Sequence, residues 1–384
     1  MRSFSSEEKD LWVVIAVQFG IAFTLNFVLV FLPFYIQEIS HLNSSSTLIW
    51  TGLILGSSSV TAAIASPFWG RLTSKVSPKS ILDKALLTHA LVIISMAFIK
   101  NIYLLFVLRF FQGFLGGVST ITLIILASTS VKEKIAERFA YVQSSITLGL
   151  IIGPPIGGIS ASLFGYNIAF IIGGILTFGV FLISFIFLSK IPPQSLSKEK
   201  KERISKKTFI FAWMLCIMAT TQISFLPAVL PEILKGMKLF KKEALAYAGW
   251  IITAYALSST IGAIYFSRFS ENKKKVIAAL TIAGSLLLFL LYFGNSVISF
   301  TIIRMLQTVF IAAVLPLTLS IYASGGGERL GFLNTSRFIG NGFGPIAGTF
   351  ILATSSLFSL YLLLAMVSLI FLSLYLFSSS NSHL

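Results

Sequence analysis

ERFAYVQSSITLGLIIGPPIGG, residues 137–158, returns further along the chain as ERLGFLNTSRFIGNGFGPIAGT, residues 328–349. Glu137-Arg138, Ser145, Gly149, Gly153-Pro154 and Gly157 of the first copy fall on Glu328-Arg329, Ser336, Gly340, Gly344-Pro345 and Gly348 of the second. Each copy lies in an apolar run of about 20 residues, the length that crosses about 30 Å of hydrocarbon. In lipid such a run must be helical, because an open strand leaves backbone groups unpaired. Glycines four residues apart then share one helix face and admit a close neighbour.

Working outward, two more echoes appear in the same order. Phe31-Leu32-Pro33 with Glu38-Ile39 returns as Phe225-Leu226-Pro227 with Glu232-Ile233, and Arg109-x-x-Gln112 returns as Arg304-x-x-Gln307. The spacing drifts by a few residues, as changes in loop length require. Apolar runs occur at 11–36, 48–69, 81–99, 102–127, 139–164, 167–189, 208–234, 247–267, 276–294, 297–322, 330–353 and 357–378. The basic stretch KIPPQSLSKEKKERISKK interrupts them. The expected architecture is an all-α integral membrane protein of twelve transmembrane helices in two six-helix bundles related by a pseudo-two-fold axis. Residues 1–189 form the first bundle, 190–207 a cytoplasmic linker and 208–384 the second bundle. Parallel repeats of this kind are a transporter architecture, with the substrate near the midplane between the halves.

Composition agrees. Only 11% of the 384 residues are charged and 56% are hydrophobic, with a mean hydropathy of +0.91. Soluble domains carry about 25% charged residues. The net charge of +16 sits in short loops, which is the positive-inside pattern and not a nucleic-acid surface. Arg2, Lys9, Arg71, Lys75, Lys79, Lys84, Lys132, Lys134, Arg138, the linker cations, Arg268, Lys273–Lys275 and Arg329 fall on one side. Lys100, Lys235, Lys238, Lys241 and Lys242 fall on the other. Both termini are expected to be cytoplasmic, and the lysines of 235–246 suggest a short interfacial helix. Leu11–Tyr35 is too long for a signal h-region and reads as a retained first helix. Cys216 is the single cysteine, and His41, His89 and His383 are scattered, so no disulfide, metal or cofactor is expected.

After the second span the chain reads Ala63-Ile-Ala-Ser-Pro-Phe-Trp-Gly-Arg-Leu-Thr-Ser-Lys-Val-Ser-Pro-Lys79. This resembles the G-x-L-a-D-r-x-G-r-k loop of the major facilitator superfamily. Gly70, Leu72, Lys75 and Lys79 match, whereas Ser74 replaces the family's Asp and Ser77 its second Gly. A degenerate copy, Ser267–Lys273, follows the eighth span. Arg109, Gln112 and Gly113 resemble the family's R-x-x-Q-G motif. Gly149, Gly153, Pro154, Gly157 and Gly158 resemble the G-x-x-x-G-P-x-x-G-G motif of its antiporter branch. The stretch from Ala63 to Gly70 is especially similar to bacterial multidrug exporters. The resemblance implies the facilitator fold, alternating access, a monomer and a bacterial cytoplasmic (inner) membrane. It also implies a small amphiphilic cargo, with proton-coupled antiport as the energy source.

Residue by residue, alternatives stay open. The loop Gly70, Arg71, Leu72, Ser74, Lys75 and Lys79 either marks topology or gates one access state, and Ser74 cannot act as a charged partner. Arg109, Arg304 and Arg337 lie inside spans, where a charge must face a wet cavity, find a partner or snorkel. Gln112 and Gln307 lie one turn on from two of them. Gln18 and Asn26 in the first span, Gln222 in the seventh and Asn341 in the eleventh either touch substrate or tie helices together. Gly149, Gly153, Gly157 and Gly158, with Gly344, Pro345 and Gly348, serve plain packing, a rocking interface, or both.

Proton coupling needs a titratable group reachable from both sides. Every Asp and Glu falls in a loop or at a span end. Glu38, Asp83 and His89 are the candidates; the third span is usually peripheral in the fold the resemblance implies, which favours a packed neutral side chain for His89. Arginines without a midplane acid disfavour lipophilic cations and favour anionic amphiphiles such as a metabolite, an antibiotic or a carboxylate siderophore. No paired carboxylates or nucleophile set suggests a membrane enzyme, and no filter sequence or charged ring suggests a channel. An importer or uniporter of the same fold remains the rival to an exporter.

Overall fold

The computed structural model describes residues 6–115, 117–129, 135–193, 206–268, 272–322 and 327–380. Among them there is no strand. The helices are α1 (Ser6–Leu29), α2 (Leu32–Ile39), α3 (Ser44–Leu72), α4 (Pro78–Met96), α5 (Ile102–Phe114), α6 (Val118–Thr129), α7 (Ile135–Phe164) and α8 (Tyr166–Phe187). They continue as α9 (Lys206–Ser224), α10 (Leu226–Gly236), α11 (Lys241–Ser267), α12 (Lys273–Leu290), α13 (Val297–Ile311), α14 (Val314–Ile321), α15 (Gly327–Thr354) and α16 (Leu357–Ser380). Taken in order, with α1–α2, α5–α6, α9–α10 and α13–α14 as broken single spans, they overlie the apolar runs of the sequence. Of the linker 190–207, residues 194–205 lie outside the described residues, as do Glu271 and the segment 130–134.

Among the described residues nine runs are long and apolar enough to cross a membrane. The other three expected spans are α4, α5–α6 and α15. α4 carries Lys79, Asp83 and Lys84, the α5–α6 run is broken after Phe114, and α15 carries Arg337 and two amides, Asn334 and Asn341.

The breaks recur in both halves. α1 stops at Leu29 and α2 starts on Leu32-Pro33; α9 stops at Ser224 and α10 starts on Leu226-Pro227. Proline fits the first turn, because its missing N–H is unneeded there, yet it deprives the preceding helix of a donor. The second pair of breaks follows Phe114 and Ile311. Elsewhere local chemistry sets the ends. Asn101 accepts from the N–H groups of Tyr103 (2.9 Å) and Leu104 (3.1 Å) to cap α5. Ser296 and Ser299 form a capping box at α13. Gly165, at φ +79°, turns the chain from α7 into α8, a conformation that favours glycine.

Contacts gather the chain into two units. The first takes the chain up to Ser40, then from Thr61 through α8, and Lys241–Thr253. Its core packs Val14, Val17 and Ile21 of α1 with Leu82 and Leu86 of α4, Ile121 and Ile125 of α6 and Val180 of α8. The second takes His41–Val60, then α9 and α10 to Phe240, and the chain from Ala254 onward. Its core packs Leu215 and Cys216 of α9 with Ile277 and Leu280 of α12, Val314 and Leu317 of α14 and Tyr375 of α16. Each unit thus holds the opening part of a helix whose remainder belongs to the other, α11 in the first unit and α3 in the second.

Candidate substrate and gating sites

In the second unit, Arg304 is fully buried. Its Nη1 donates to the Gln222 carbonyl (2.9 Å) and to Gln307 Oε1 (2.7 Å), and its Nη2 to the Ile223 carbonyl (2.8 Å). The guanidinium stacks 5.1 Å from the Phe225 ring centre and 4.8 Å from that of Tyr255. The reason lies in the backbone. In a continuous helix the Ile223 carbonyl would accept from residue 227, but Pro227 has no N–H. Arg304 supplies that donor at the α9–α10 break. Gln307 Nε2 donates to Gln222 Oε1 (2.9 Å), and Gln222 Nε2 to Ser368 (2.6 Å) and Ser285 (3.3 Å). Arg304, Gln307 and Gln222 therefore form one structural network.

The first-half counterparts repeat the Arg–Gln pair. Arg109 and Gln112 are buried, with Arg109 Nη1 donating to Gln112 Oε1 at 2.6 Å. The position matching Gln222 is Val28, which offers no side-chain acceptor. Gln18 is buried and donates to Thr122 of α6, which in turn donates to the Val118 carbonyl at 2.7 Å. Asn26 is half-buried and bonds its own helix at Ala22 O, 2.8 Å.

Arg337 and Asn341 differ from all of these. Both are half-buried, and neither has a hydrogen bond or ion pair among the described residues. Their helix, α15, has well-defined faces. A Cβ on Gly340 would lie 2.6 Å from Thr220 Cβ, and one on Gly344 3.0 Å from the Phe225 nitrogen, so this face meets α9 and α10. A Cβ on Gly348 would lie 3.1 Å from Phe225 Cβ. A Cβ on Gly342 would lie 3.1 Å from the Gly56 carbonyl, and the Pro345 carbonyl would be 2.7 Å from a Cβ on Gly52, so a second face meets the start of α3. Phe332, Phe343 and Phe350 form an exposed third face. At about 100° per residue, Asn341 falls between those two packed faces, opposite the exposed phenylalanines, and Arg337, two turns before Gly344, falls on the α9 side of it.

α7 in the first unit uses its glycines in two ways. Gly149 and Gly153 admit the backbone of α1, where a Cβ would lie 2.7 Å from the Phe19 carbonyl and 2.6 Å from that of Phe23; Gly157 meets the Phe27 backbone. Gly158 faces α11 instead, where a Cβ would lie 2.6 Å from the Leu245 carbonyl. Pro154 follows suit, its carbonyl 2.7 Å from a Cβ on Gly249, and Thr253 donates to the Ile151 carbonyl at 2.9 Å.

The basic loop serves the end of α8. Lys79 donates to the carbonyls of Phe185 (2.9 Å) and Leu188, and Ser77 to that of Ile191 (2.6 Å). A cation on the last carbonyls of a helix complements its dipole. Leu72 packs on the core of the unit. Arg71 and Lys75 are exposed, and Ser74 reaches only the Arg71 carbonyl, at 2.7 Å. Gly70 accepts from Thr73 at 2.7 Å. Sequence reasoning passed over Trp69, whose ring covers Gly117 and whose Nε1 donates to the Phe114 carbonyl at 2.6 Å. This ties the end of α3 to the α5–α6 break; a large aromatic beside the motif was the available signal.

Of the coupling candidates, Asp83 is buried and accepts from Ser184 at 2.6 Å. His89 is buried and donates from Nδ1 to the Ala85 carbonyl at 2.9 Å. Glu38 ion-pairs with Lys241, whose ammonium also sits 5.4 Å from the Tyr166 ring centre. Lys241 and Lys242 of the 235–246 segment begin α11 itself. Asp10, unremarked in the sequence, is buried and accepts from the Ser189 N–H at 2.9 Å.

A broken-helix transporter fold with buried arginines and glycine-lined helix contacts defines a class of secondary transporter. The family described as Major Facilitator Superfamily matches residues 14–240, and the chain belongs to it. It is similar to the multidrug resistance protein MdtG of Rahnella sp. (strain Y9602), 25% identical over 370 residues that cover 91% of this chain and 88% of that one. The MdtG of Salmonella typhi is 26% identical over 354 residues, covering 87% and 86%. Among solved structures, the human organic anion transporter MFSD10 (TETRAN) matches with a TM-score of 0.71 at 15% identity, covering 97% of this chain and all of that one. A bacterial homolog of the human lysosomal transporter Spinster matches with a TM-score of 0.73 at 14% identity, covering 97% and 98%. The likeness to solved structures concerns the fold.

Proposed function

We propose that this transporter exports a small amphiphilic molecule, drug-like or anionic, by alternating access in the cytoplasmic membrane of a bacterium, as a monomer with both termini inside. The observation that carries the reading is the exchange of helix beginnings. Lys241–Thr253 is fastened to α7 through Gly158, Gly249 and Thr253, and His41–Val60 to α15 through Gly52, Gly56 and Gly342. Both fastenings carry glycine-to-carbonyl packing, a kind of contact that can part and reform. The names of the relatives, which speak of multidrug resistance, favour export over import.

Proton coupling is proposed through Asp83. It is a buried carboxylate whose ionised form has one hydroxyl donor, Ser184, while nearby Lys79 is committed to the carbonyls of α8. Glu38 is already ion-paired, and His89 is packed on its own helix. The test is transport into inverted vesicles with an imposed pH gradient. Export predicts uptake that an inside-acid gradient drives, with Asp83→Asn losing the gradient dependence and His89→Ala keeping it. Wild-type uptake indifferent to the gradient rejects proton coupling, and accumulation only in right-side-out vesicles rejects export.

A further inference from the structure

We propose that Arg337 and Asn341 of α15 bind the acidic group of the cargo, and that the cargo is a carboxylate-bearing amphiphile. The inference rests on the transporter reading above, which supplies the need for a cargo, and it goes beyond that reading by naming a site and a chemical class.

The three arginines within the spans separate on geometry. Arg304 commits both terminal nitrogens to two backbone carbonyls and Gln307, and its guanidinium lies over two aromatic rings. Arg109 is buried against Gln112. Arg337 is half-buried and has no acceptor among the described residues. It lies seven residues past the start of the apolar run 330–353, about 10 Å along the helix axis, about a third of the way through a hydrocarbon core. A guanidinium at that depth is tolerated only where water or an anion reaches it. Arg337 lies on the α9 side of the helix, away from the exposed phenylalanines, one turn before Asn341, which falls between the faces that pack on α9 and on α3. The guanidinium fork matches a carboxylate bidentately. Asn341, likewise unbonded, adds an amide donor on the next turn.

Two further observations point to an anion. From Ala254 to the end of the chain the only acids are Glu271 and Glu328, and neither falls within an apolar run. No carboxylate of those spans therefore competes for Arg337. In the repeat, the positions matching Arg337 and Asn341 are Ile146 and Leu150 of α7. The polar pair thus belongs to one copy of the repeat and is not required by the duplicated helix frame.

The test uses the full chain in nanodiscs and two probes, 11-(dansylamino)undecanoate and its uncharged methyl ester, with binding read by dansyl fluorescence. Wild type should bind the carboxylate at least about tenfold tighter than the ester, the range expected for a charged hydrogen-bonded pair. Arg337→Gln should erase that preference while keeping the ester affinity, and Arg337→Lys should restore part of it. Asn341→Ala should weaken the carboxylate about threefold to tenfold and leave the ester unchanged; it stands in if Arg337→Gln does not fold. Equal binding of the two probes by wild type, binding of neither below about 1 mM, or equal loss of both probes in the folded variants overturns the proposal. Carboxylate preference without vesicle uptake of that probe would instead count against the export reading alone.

Discussion

At the scale of single residues, two arginines within the spans of the second half, Arg304 and Arg337, have opposite surroundings. Arg304 replaces the amide that Pro227 lacks, so its loss strands the Ile223 carbonyl in a buried site. Arg304→Gln is expected to destabilise the protein by about 2–4 kcal/mol, measured as thermal unfolding in detergent. Pro227→Ala restores a backbone donor to Ile223 and should recover part of that loss in the double variant, while removing Gln307 alone should cost less. A double variant no more stable than Arg304→Gln would refute the substitution of side chain for amide. The sequence disclosed that Arg304 sits inside a span next to Gln307. It did not disclose the bond to Ile223, because a proline's missing donor is met by a residue about 80 positions away, a pairing that only tertiary packing creates. Arg337 was legible as a charge in a span, but its lack of an acceptor among the described residues was not, since that depends on which neighbours the other polar groups have already taken.

At the scale of helices, glycine placement was readable and glycine partnership was not. Spacing put Gly149, Gly153 and Gly157 on one face; packing assigns that face to α1 and turns Gly158 toward α11. Gly158→Val and Gly249→Val each push a side chain into a backbone carbonyl that cannot swing aside. Each should cut transport at least tenfold while leaving the thermal midpoint nearly unchanged, if the contact is one that forms and breaks. Gly179 of α8 has open space where a Cβ would go. Gly179→Ala should stabilise its helix by about 0.5–1 kcal/mol and leave transport intact. The Glu38–Lys241 pair joins the end of α2 to the first turn of α11, where a cation opposes the helix dipole unless an anion meets it. Lys241→Gln and Glu38→Gln should each speed maleimide labelling of a Thr253→Cys reporter, in a Cys216→Ser background, by about twofold to fivefold. The swapped pair Glu38→Lys with Lys241→Glu should return labelling toward the starting rate. Unchanged labelling in both single variants would show that the pair fastens nothing.

At the scale of the molecule, the helical class, the order of the spans and the internal repeat were legible because lipid imposes them: length, apolarity and backbone satisfaction leave one kind of element. The breaks in the first, fourth, seventh and tenth spans were only hinted at, by Pro33, Pro227 and the motif glycines. The exchange of helix beginnings was invisible, since α3 and α11 are each a single apolar run with nothing in composition to mark Val60 or Thr253 as a seam. That seam has a consequence for complementation. A chain severed within its basic linker yields two fragments, and each lacks the stretch that completes one unit: the first fragment lacks Lys241–Thr253, the second His41–Val60. Fragments made separately should be degraded or aggregate with bare glycine faces on α7 and α15. Fragments made together should trade those stretches and recover transport, as a two-part reconstitution whose yield falls when Gly158 or Gly52 is enlarged.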